Sequence, residues 1–476
     1  MTELMTIGGE PASAGDHFDV VNPATGAPFA TAPQCPASLL DDAMEAARSA
    51  LAAWGGDDGA RRRALGEAAD RLVAAVEVIA PILTAEQGKP LGDARLEVLG
   101  AALWLRYFAD LDIAPEVIQN DKQARIEVQR RPMGVVAAIT PWNFPIVLAC
   151  WKLGPALRAG NTVVLKPSPF TPLSTLAMGS VLAGALPPGV LNVVSGTDPL
   201  GEWMTSHPVP RKVSFTGSIA TGKRVAAAAA TDLKRVTLEL GGNDPAIVLD
   251  DADPNAIADS LFSHAFANCG QVCIAIKRVY APEAMVADLV ESLADRARRT
   301  VVGDGMDEAT ELGPINNLPQ LERVTNLVDD ALAHGARAVA GGHRLDRPGY
   351  FFAPTIIDRA HDGLKVVDEE QFGPVLPVVA YRDVEDAVAA ANGTNYGLCA
   401  SVWSSDPDRA ERVANRLECG TAWINTHLEV APHQPFSGVK WSGIGVENGR
   451  RGLDEFCELQ VIHRPQGPPL LDHRQS

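Results

Sequence analysis

Apolar positions change their period along the chain. Between residues 39 and 120 they recur at i, i+3, i+4 in Ala- and Leu-rich segments: Leu40 to Ala53, Ala60 to Ala85 and Ala94 to Leu111. That spacing puts an apolar stripe along a helix. From Pro132 the texture differs. Short, nearly continuous Val/Ile/Leu runs (GVVAAIT, NTVVLK, VLNVVSG, KVSFTG, RVTLELGG, PAIVLDD) alternate with helical stretches such as Pro172 to Ala185 and Gly222 to Ala229. Strands apolar on both faces and separated by helices predict a parallel, doubly wound α/β sheet. A second series follows Pro245. It has helices over Ala256 to Asn268, Ala284 to Thr300, Pro319 to His334 and Val384 to Asn392, and strands in RAVAGG, FFAPTII, VLPVVAYR and ASVWSS. The seam between the two α/β units falls in ELGGNDP, Glu239 to Pro245.

Two segments fit neither unit. RIEVQRR (Arg125 to Arg131) and ELQVIH (Glu458 to His463) alternate polar and apolar residues and lie far apart in the chain. They predict a small projecting sheet, and unpaired strand edges of that kind suit subunit pairing.

Composition narrows the partners. A chain of 476 residues implies two or three domains, and 46% hydrophobic residues allow a sizeable core. Against 59 acidic side chains stand 41 basic ones, a net charge of −18. Such a surface repels phosphate backbones and anionic lipid, so neither nucleic acid nor membrane is expected as a partner. A local basic site for one anionic cofactor remains compatible with it. No apolar run approaches the roughly 18 residues that span a bilayer, and the N-terminus shows no secretory signal. Seven scattered cysteines make no disulfide framework, which points to a reducing cytoplasm.

The candidate chemistry begins at FANCGQVCIA, where Cys269 and Cys273 stand four residues apart. A zinc site would need a second pair or clustered histidines, and His264 stands alone, so no metal is expected. An internal redox pair is equally disfavoured. For Cys273 two readings stay open, an exposed nucleophile after a Gly-Gln turn or a small buried hydrophobe. GIGVENG, Gly443 to Gly449, fails as a dinucleotide fingerprint, because Asn448 takes the third glycine position and no apolar strand precedes it. FTGSIATG is better: a strand, a turn with Gly217 and Ser218, and a helix N-terminus form a ready phosphate site. Lys166 ends the strand VVLK, where open sheets bind ligands, or it is a solvated loop lysine. Asn143, between prolines in TPWNFP, is either an oxyanion donor or a turn residue. Glu239 ends the strand before two glycines, as a general base or as a plain strand-end charge.

TPWNFP, FTGS, ELGG, FxNxGQxC, EExFGP and PFxGxKxSGxG occur in that order in this one chain. The set resembles the aldehyde dehydrogenase superfamily over residues 15 to 465, with the usual order and approximate spacing of Glu239 and Cys273. The resemblance implies a Rossmann-like NAD(P)-binding domain from residues 1–115 and 134–240 and a catalytic domain over 241–440. It also implies oligomerisation strands at 116–133 and 455–466, in a homodimer or homotetramer. By the same resemblance Cys273 is the nucleophile, Glu239 the base, Asn143 half of the oxyanion hole and Lys152 a supporting residue. Lys166 and Ser168 belong to the adenosine side of NAD, Gly217 and Ser218 to the pyrophosphate turn. Glu370 belongs to the nicotinamide ribose, with Phe372 and Trp142 near the ring. The thiol pKa is expected to be lowered by cofactor, helix N-terminus or a neighbouring base. Cys269 falls at a variable position of the motif, and oxidation joining it to Cys273 is a further expectation if the two lie close.

Three positions depart from the family pattern. Pro169 replaces the glutamate of KPSE, which makes NADP acceptable beside NAD. Val446 stands where arginine is frequent, and Ser437 replaces a glycine. The positions matching the substrate tunnel are Phe144, Leu148, Trp151, Val272, Ile274, Leu428, Val430 and Phe436, all apolar. They imply an uncharged aliphatic, terpenoid or aromatic aldehyde. The alternatives are a CoA-acylating semialdehyde dehydrogenase, against which Glu239 argues, and a non-catalytic protein on the same fold.

Overall fold

A computed structural model describes residues 3–466 of the chain. Its first sheet runs, edge to edge, through strands Gly443–Ile444, Arg235–Glu239, Lys212–Thr216, Val135–Ile139, Thr162–Lys166, Leu191–Val193, Met5–Ile7 and Glu10–Ala12. The five strands from Arg235–Glu239 to Leu191–Val193 are parallel. Every residue of Val135–Ile139, Thr162–Lys166 and Lys212–Thr216 is buried. Burial on both faces accounts for the apolar runs of the first two, while Lys212–Thr216 (KVSFT) is buried despite its polar positions. From Val135–Ile139 the chain builds outward in one direction, then returns to lay Lys212–Thr216 on the other side. The crevice at the strand ends between these two neighbours is a topological switch point, where open α/β sheets bind ligands.

The second sheet has the order Arg337–Ala340, Thr355–Ala360, Val375–Tyr381, Ile276–Pro282, Asp244–Val248, Cys399–Trp403, Thr421–Ile424. All its pairings are parallel except that of the first two strands. Alternate residues of one strand feed its two cores: Ile247 packs on one face, Ala246 and Val248 on the other. A third sheet pairs Cys457–Pro465 antiparallel with Ala124–Pro132 along nine residues, from Cys457 opposite Pro132 to Pro465 opposite Ala124. Glu116–Asn120 forms its other edge. Leu459 and Val461 on this sheet are 65% and 59% exposed.

Several boundaries differ from the sequence expectation. The stretch Ala60 to Ala85 is two helices, Asp58–Ala74 and Val76–Gln87, which meet at Ala75 (φ −94°, ψ 4°). Each buries its own stripe, so the periodicity hid the break. The helix expected from Gly222 begins at Ile219, because the Ser218 side chain accepts a hydrogen bond from the Thr221 N–H and caps it. The strands Met5–Ile7, Glu10–Ala12, His17–Asn22 and Ala27–Pro33 were not anticipated. Two are only three residues long, and the two longer ones form a largely exposed hairpin without an apolar run.

Candidate active site

The switch-point strands deliver two loops to one place. After Val135–Ile139 comes Thr140 to Phe144, then the helix Pro145–Arg158 with proline at its first position, a position whose N–H needs no partner. Asn143 in this loop is 3% exposed, and its Nδ2 donates to the carbonyl of Gln271 at 2.9 Å. The approach to Cys273 is unusual backbone. Asn268, Cys269 and Gly270 have φ of 48°, 58° and 70°, three successive left-handed residues. Asparagine and glycine tolerate this region, whereas cysteine stores strain there. Gln271 locks the turn by donating to Asn268 O at 2.9 Å and accepting from Asn316 N at 2.8 Å. Cys273 emerges half-buried.

A cavity of about 460 Å³ lies at the seam. Trp142, Asn143, Gly217, Ser218, Glu239, Cys273, Glu370 and Phe372 all line it. Gly217 donates its N–H to Glu239 O at 3.1 Å, and a Cβ there would stand 2.6 Å from the Phe215 ring. Glu370 Oε1 accepts from Gly242 N at 3.2 Å. Phe372, at φ 51°, meets Trp142 edge-on at 5.2 Å. Lys166 ends the strand on the far side of Val135–Ile139, Ser168 follows it, and neither lines this cavity. The Lys166 ammonium donates to Pro167 O at 3.0 Å, and burial lowers its pKa to about 8. Ser168 Oγ accepts from Phe170 N at 3.3 Å.

Electrostatics separate Glu239 from an ordinary strand-end charge. It is 3% exposed, and neither carboxylate oxygen has a hydrogen-bond partner among the described residues. Burial, then the charge of Glu447, pushes its pKa up to about 8, while the nearby Cys273 thiol and Lys152 pull the other way. The thiol lies close enough to favour the carboxylate without making a hydrogen bond of normal geometry. The Cys273 thiol is itself pushed well above its usual value, first by burial and then by Glu239, Glu370 and Asp244. In the free protein this runs against a thiol pKa lowered by a helix N-terminus or a neighbouring base: burial is the first cause and the neighbouring carboxyl groups add to it, so the proton stays on sulfur.

Lys152 lies away from the cavity wall. It is fully buried, with Nζ donating to Thr216 Oγ1 at 2.7 Å and Glu447 Oε1 at 2.6 Å. Thr216 pairs with Glu239 across adjacent strands, so Lys152 lies beneath the base rather than beside the thiol. Glu447, in the segment dismissed as a failed fingerprint, was missed, because that test looked at glycines and not at the carboxylate between them. His427 was also missed. Its Nε2 lies 2.8 Å from the Ile274 carbonyl, and burial drops its pKa to about 3, which keeps the ring neutral.

The eight apolar positions all belong to, or pack against, the large core around the first sheet. Leu148, Trp151, Val272, Ile274 and Phe436 are buried in it, and Phe144, Leu428, Val430 and Cys273 pack against it. Trp151 meets Phe436 edge-on at 5.3 Å and stacks on Trp104 at 5.6 Å. Trp104, from the N-terminal helices, carried no sequence signal. Cys269 turns away into the core of the second sheet with Ile315 and Val324, where burial raises its pKa to about 12. The expected oxidative link to Cys273 therefore has no support from packing. Among the described residues no group of three or more His, Cys, Asp or Glu is placed to hold a metal, and no helix is long and apolar enough to cross a membrane.

Two α/β units meeting at a switch-point crevice, with thiol, carboxylate and amide on its walls, define a class of two-domain α/β enzymes. Residues 10–462 match the aldehyde dehydrogenase family, and the chain belongs to that family. It is 39% identical over 458 residues to FUS7 of Gibberella fujikuroi, which carries an aldehyde dehydrogenase description, covering 96% of this chain and 97% of that one. The NAD+ complex of an aldehyde dehydrogenase from Bacillus cereus superposes with a TM-score of 0.95 at 36% identity, over 98% of this chain and 97% of that chain. An NADP-dependent enzyme of E. coli does so with a TM-score of 0.95 at 37% identity, over 98% of both chains.

Proposed function

We propose that this chain oxidises an uncharged aliphatic, terpenoid or aromatic aldehyde to its carboxylic acid with NAD or NADP, through a covalent bond to Cys273. The observation that carries the mechanism is the unpartnered carboxylate of Glu239 beside the Cys273 thiol, in a cavity shared with Asn143. Glu239, once ionised, takes the thiol proton, and the sulfur adds to the aldehyde carbon. The oxyanion so formed is met by Asn143 Nδ2 and the Cys273 N–H, and one well-placed donor is worth about 3–4 kcal/mol. NAD(P), when bound, supplies the acceptor for the hydride that leaves this carbon. Once Glu239 has released the thiol proton to solvent, it takes a proton from water, which attacks the resulting thioester; that proton then passes to the departing sulfur, which frees the acid and restores the thiol.

The residues present fit that cofactor. The capped start of helix Ile219–Ala230 offers N–H groups to a pyrophosphate, and Gly217 allows close approach. Lys166, a buried ammonium, offers donors to the adenosine ribose, and Glu370 offers acceptors to the other. Pro169 in place of an acid favours tolerance of a 2′-phosphate. The apolar cluster around Trp151 and Phe436 supports the uncharged substrate class, and the retained Glu239 speaks for hydrolysis over transfer to CoA. The exposed apolar residues of the third sheet support a homodimer or homotetramer. The net charge and scattered cysteines support a cytoplasmic protein.

The test is absorbance of the reduced cofactor on mixing protein, NAD or NADP and a panel of aldehydes, with and without CoA. Turnover is expected without CoA and lost in Cys273→Ala. No turnover with any aldehyde refutes the activity, and turnover surviving the substitution refutes the nucleophile.

A further inference from the structure

One buried charge pair has no place in the steps above. Lys89 follows the helix Val76–Gln87, and Glu97 lies on the next helix, Leu91–Asp110. Their side chains are 0% and 1% exposed, with Nζ 2.5 Å from Glu97 Oε2. Desolvation offsets much of the attraction in such a pair, so stability alone does not explain it. Its other contacts do. Lys89 Nζ also donates to the backbone carbonyl of Asn143 at 2.8 Å and sits 3.7 Å from the centre of the Phe144 ring. Glu97 Oε1 accepts from the N–H groups of Ile146 at 2.9 Å and Val147 at 3.3 Å, the open first turn of helix Pro145–Arg158. The pair therefore grips the chain from the carbonyl of Asn143 into the first turn of the helix that follows it.

Lys89 is fixed in turn. Its N–H donates to Gln87 Oε1 at 2.9 Å, and Asn316 Nδ2 donates to the carbonyls of Glu86 and Gln87 at 2.9 and 3.2 Å. Asn316 also donates its N–H to Gln271, whose carbonyl takes one Asn143 amide hydrogen. One network thus joins the carbonyl and the side chain of Asn143.

We propose that Lys89 and Glu97 are positioning residues that aim the second amide N–H of Asn143 at the developing oxyanion. The proposal rests on the reading of Asn143 as the oxyanion donor. With one hydrogen held by Gln271, the direction of the other follows from where the backbone of Asn143 is pinned, and Lys89 pins its carbonyl together with Asn268 Nδ2, which donates to the same oxygen at 3.1 Å. A displacement of about 1 Å in such a group costs on the order of 100-fold in rate.

The test is a double-mutant cycle on the full chain with its cofactor. Asn143→Ala is expected to lower kcat by about 10²–10³-fold. Lys89→Met with Glu97→Gln, which removes both charges together, is expected to lower kcat about 10-fold or more while the aldehyde KM stays within about twofold. In the Asn143→Ala background the same pair is expected to cost nothing further. Glu97→Gln alone keeps an acceptor for Lys89 and serves as the milder second variant, with a loss of several-fold that also vanishes without Asn143. Equal losses in both backgrounds, or no loss, overturn the positioning role. An unchanged kcat in Asn143→Ala itself overturns the oxyanion reading instead.

Discussion

Lys152 and Glu447, 295 residues apart in the chain, meet as an ion pair at 2.6 Å with both side chains out of solvent. Glu447 raises the pKa of Glu239, and Lys152 lowers it. Lys152→Met leaves a buried carboxylate without its cation, a change that costs about 3–5 kcal/mol in stability. The same substitution removes the positive charge near Glu239, so the ionisation that controls thioester hydrolysis moves to higher pH. Thermal unfolding and a pH–rate profile check the two effects. A profile that stays in place would separate Lys152 from the base.

Glu239 works as a base only when ionised, and its pKa stands near 8 instead of 4.5. Hydrolysis is therefore expected to rise with pH through about 8 and to level off above it. Glu239→Gln is expected to flatten this rise and slow hydrolysis by about 10²–10⁴-fold, as read from single-turnover release of acid. Stability carries the opposite sign. Between about pH 4.5 and 8 the folded carboxyl keeps a proton that the unfolded one has lost, so this group makes folding less favourable as pH rises. Glu239→Gln is expected to be the more stable protein at pH 8, by on the order of a few kcal/mol, in denaturant unfolding.

Cys273 in the free protein is expected to react slowly with iodoacetamide at pH 7 and faster as pH rises, because burial first, and then the neighbouring carboxyl groups as they ionise, hold its proton. In Glu239→Gln one of those groups can no longer ionise. The thiolate absorbance near 240 nm is then expected to titrate at lower pH than in the parent. A thiol that is fully ionised at pH 7 without cofactor would contradict the charge arrangement of the cavity.

Pro169→Glu places a carboxylate beside Lys166 and Ser168. Like charge against a 2′-phosphate is costly, so kcat/KM with NADP is expected to fall by about tenfold or more while that with NAD holds or rises. Steady-state rates with the two cofactors decide it.

The sequence made the sheets legible where strands were buried on both faces. Val135–Ile139 is apolar throughout and Thr162–Lys166 is polar only at its two ends, and Glu239 and Cys273 sat in motifs with fixed order. What escaped was set by tertiary contact. The strand Met5–Ile7 is too short to show a period and exists because a sheet edge accepts it. Glu447 and Trp104 act through partners hundreds of residues away: Glu447 through Lys152, Trp104 through a bond from its Nε1 to Asn448 Oδ1 at 2.9 Å. The raised thiol pKa of the free protein was not legible because a motif names the nucleophile without showing how deeply it is buried or which carboxyl groups adjoin it.

The seam is fastened by the far end of the chain. Leu240 N–H donates to Ser442 O at 2.9 Å, Ser442 Oγ donates to Gly241 O at 2.8 Å, and Gly443–Ile444 completes the sheet edge beside Glu239. A ribosome making this protein at about 5–20 residues per second has the thiol, the base and the amide in hand long before residues 442–447 emerge. Until they do, Lys152 lacks its anion and the strand bearing Glu239 has an open edge. The base thus reaches its working surroundings only when residues 442–447 have closed over it, so assembly of the charge network waits on a contact made across 201 residues of chain.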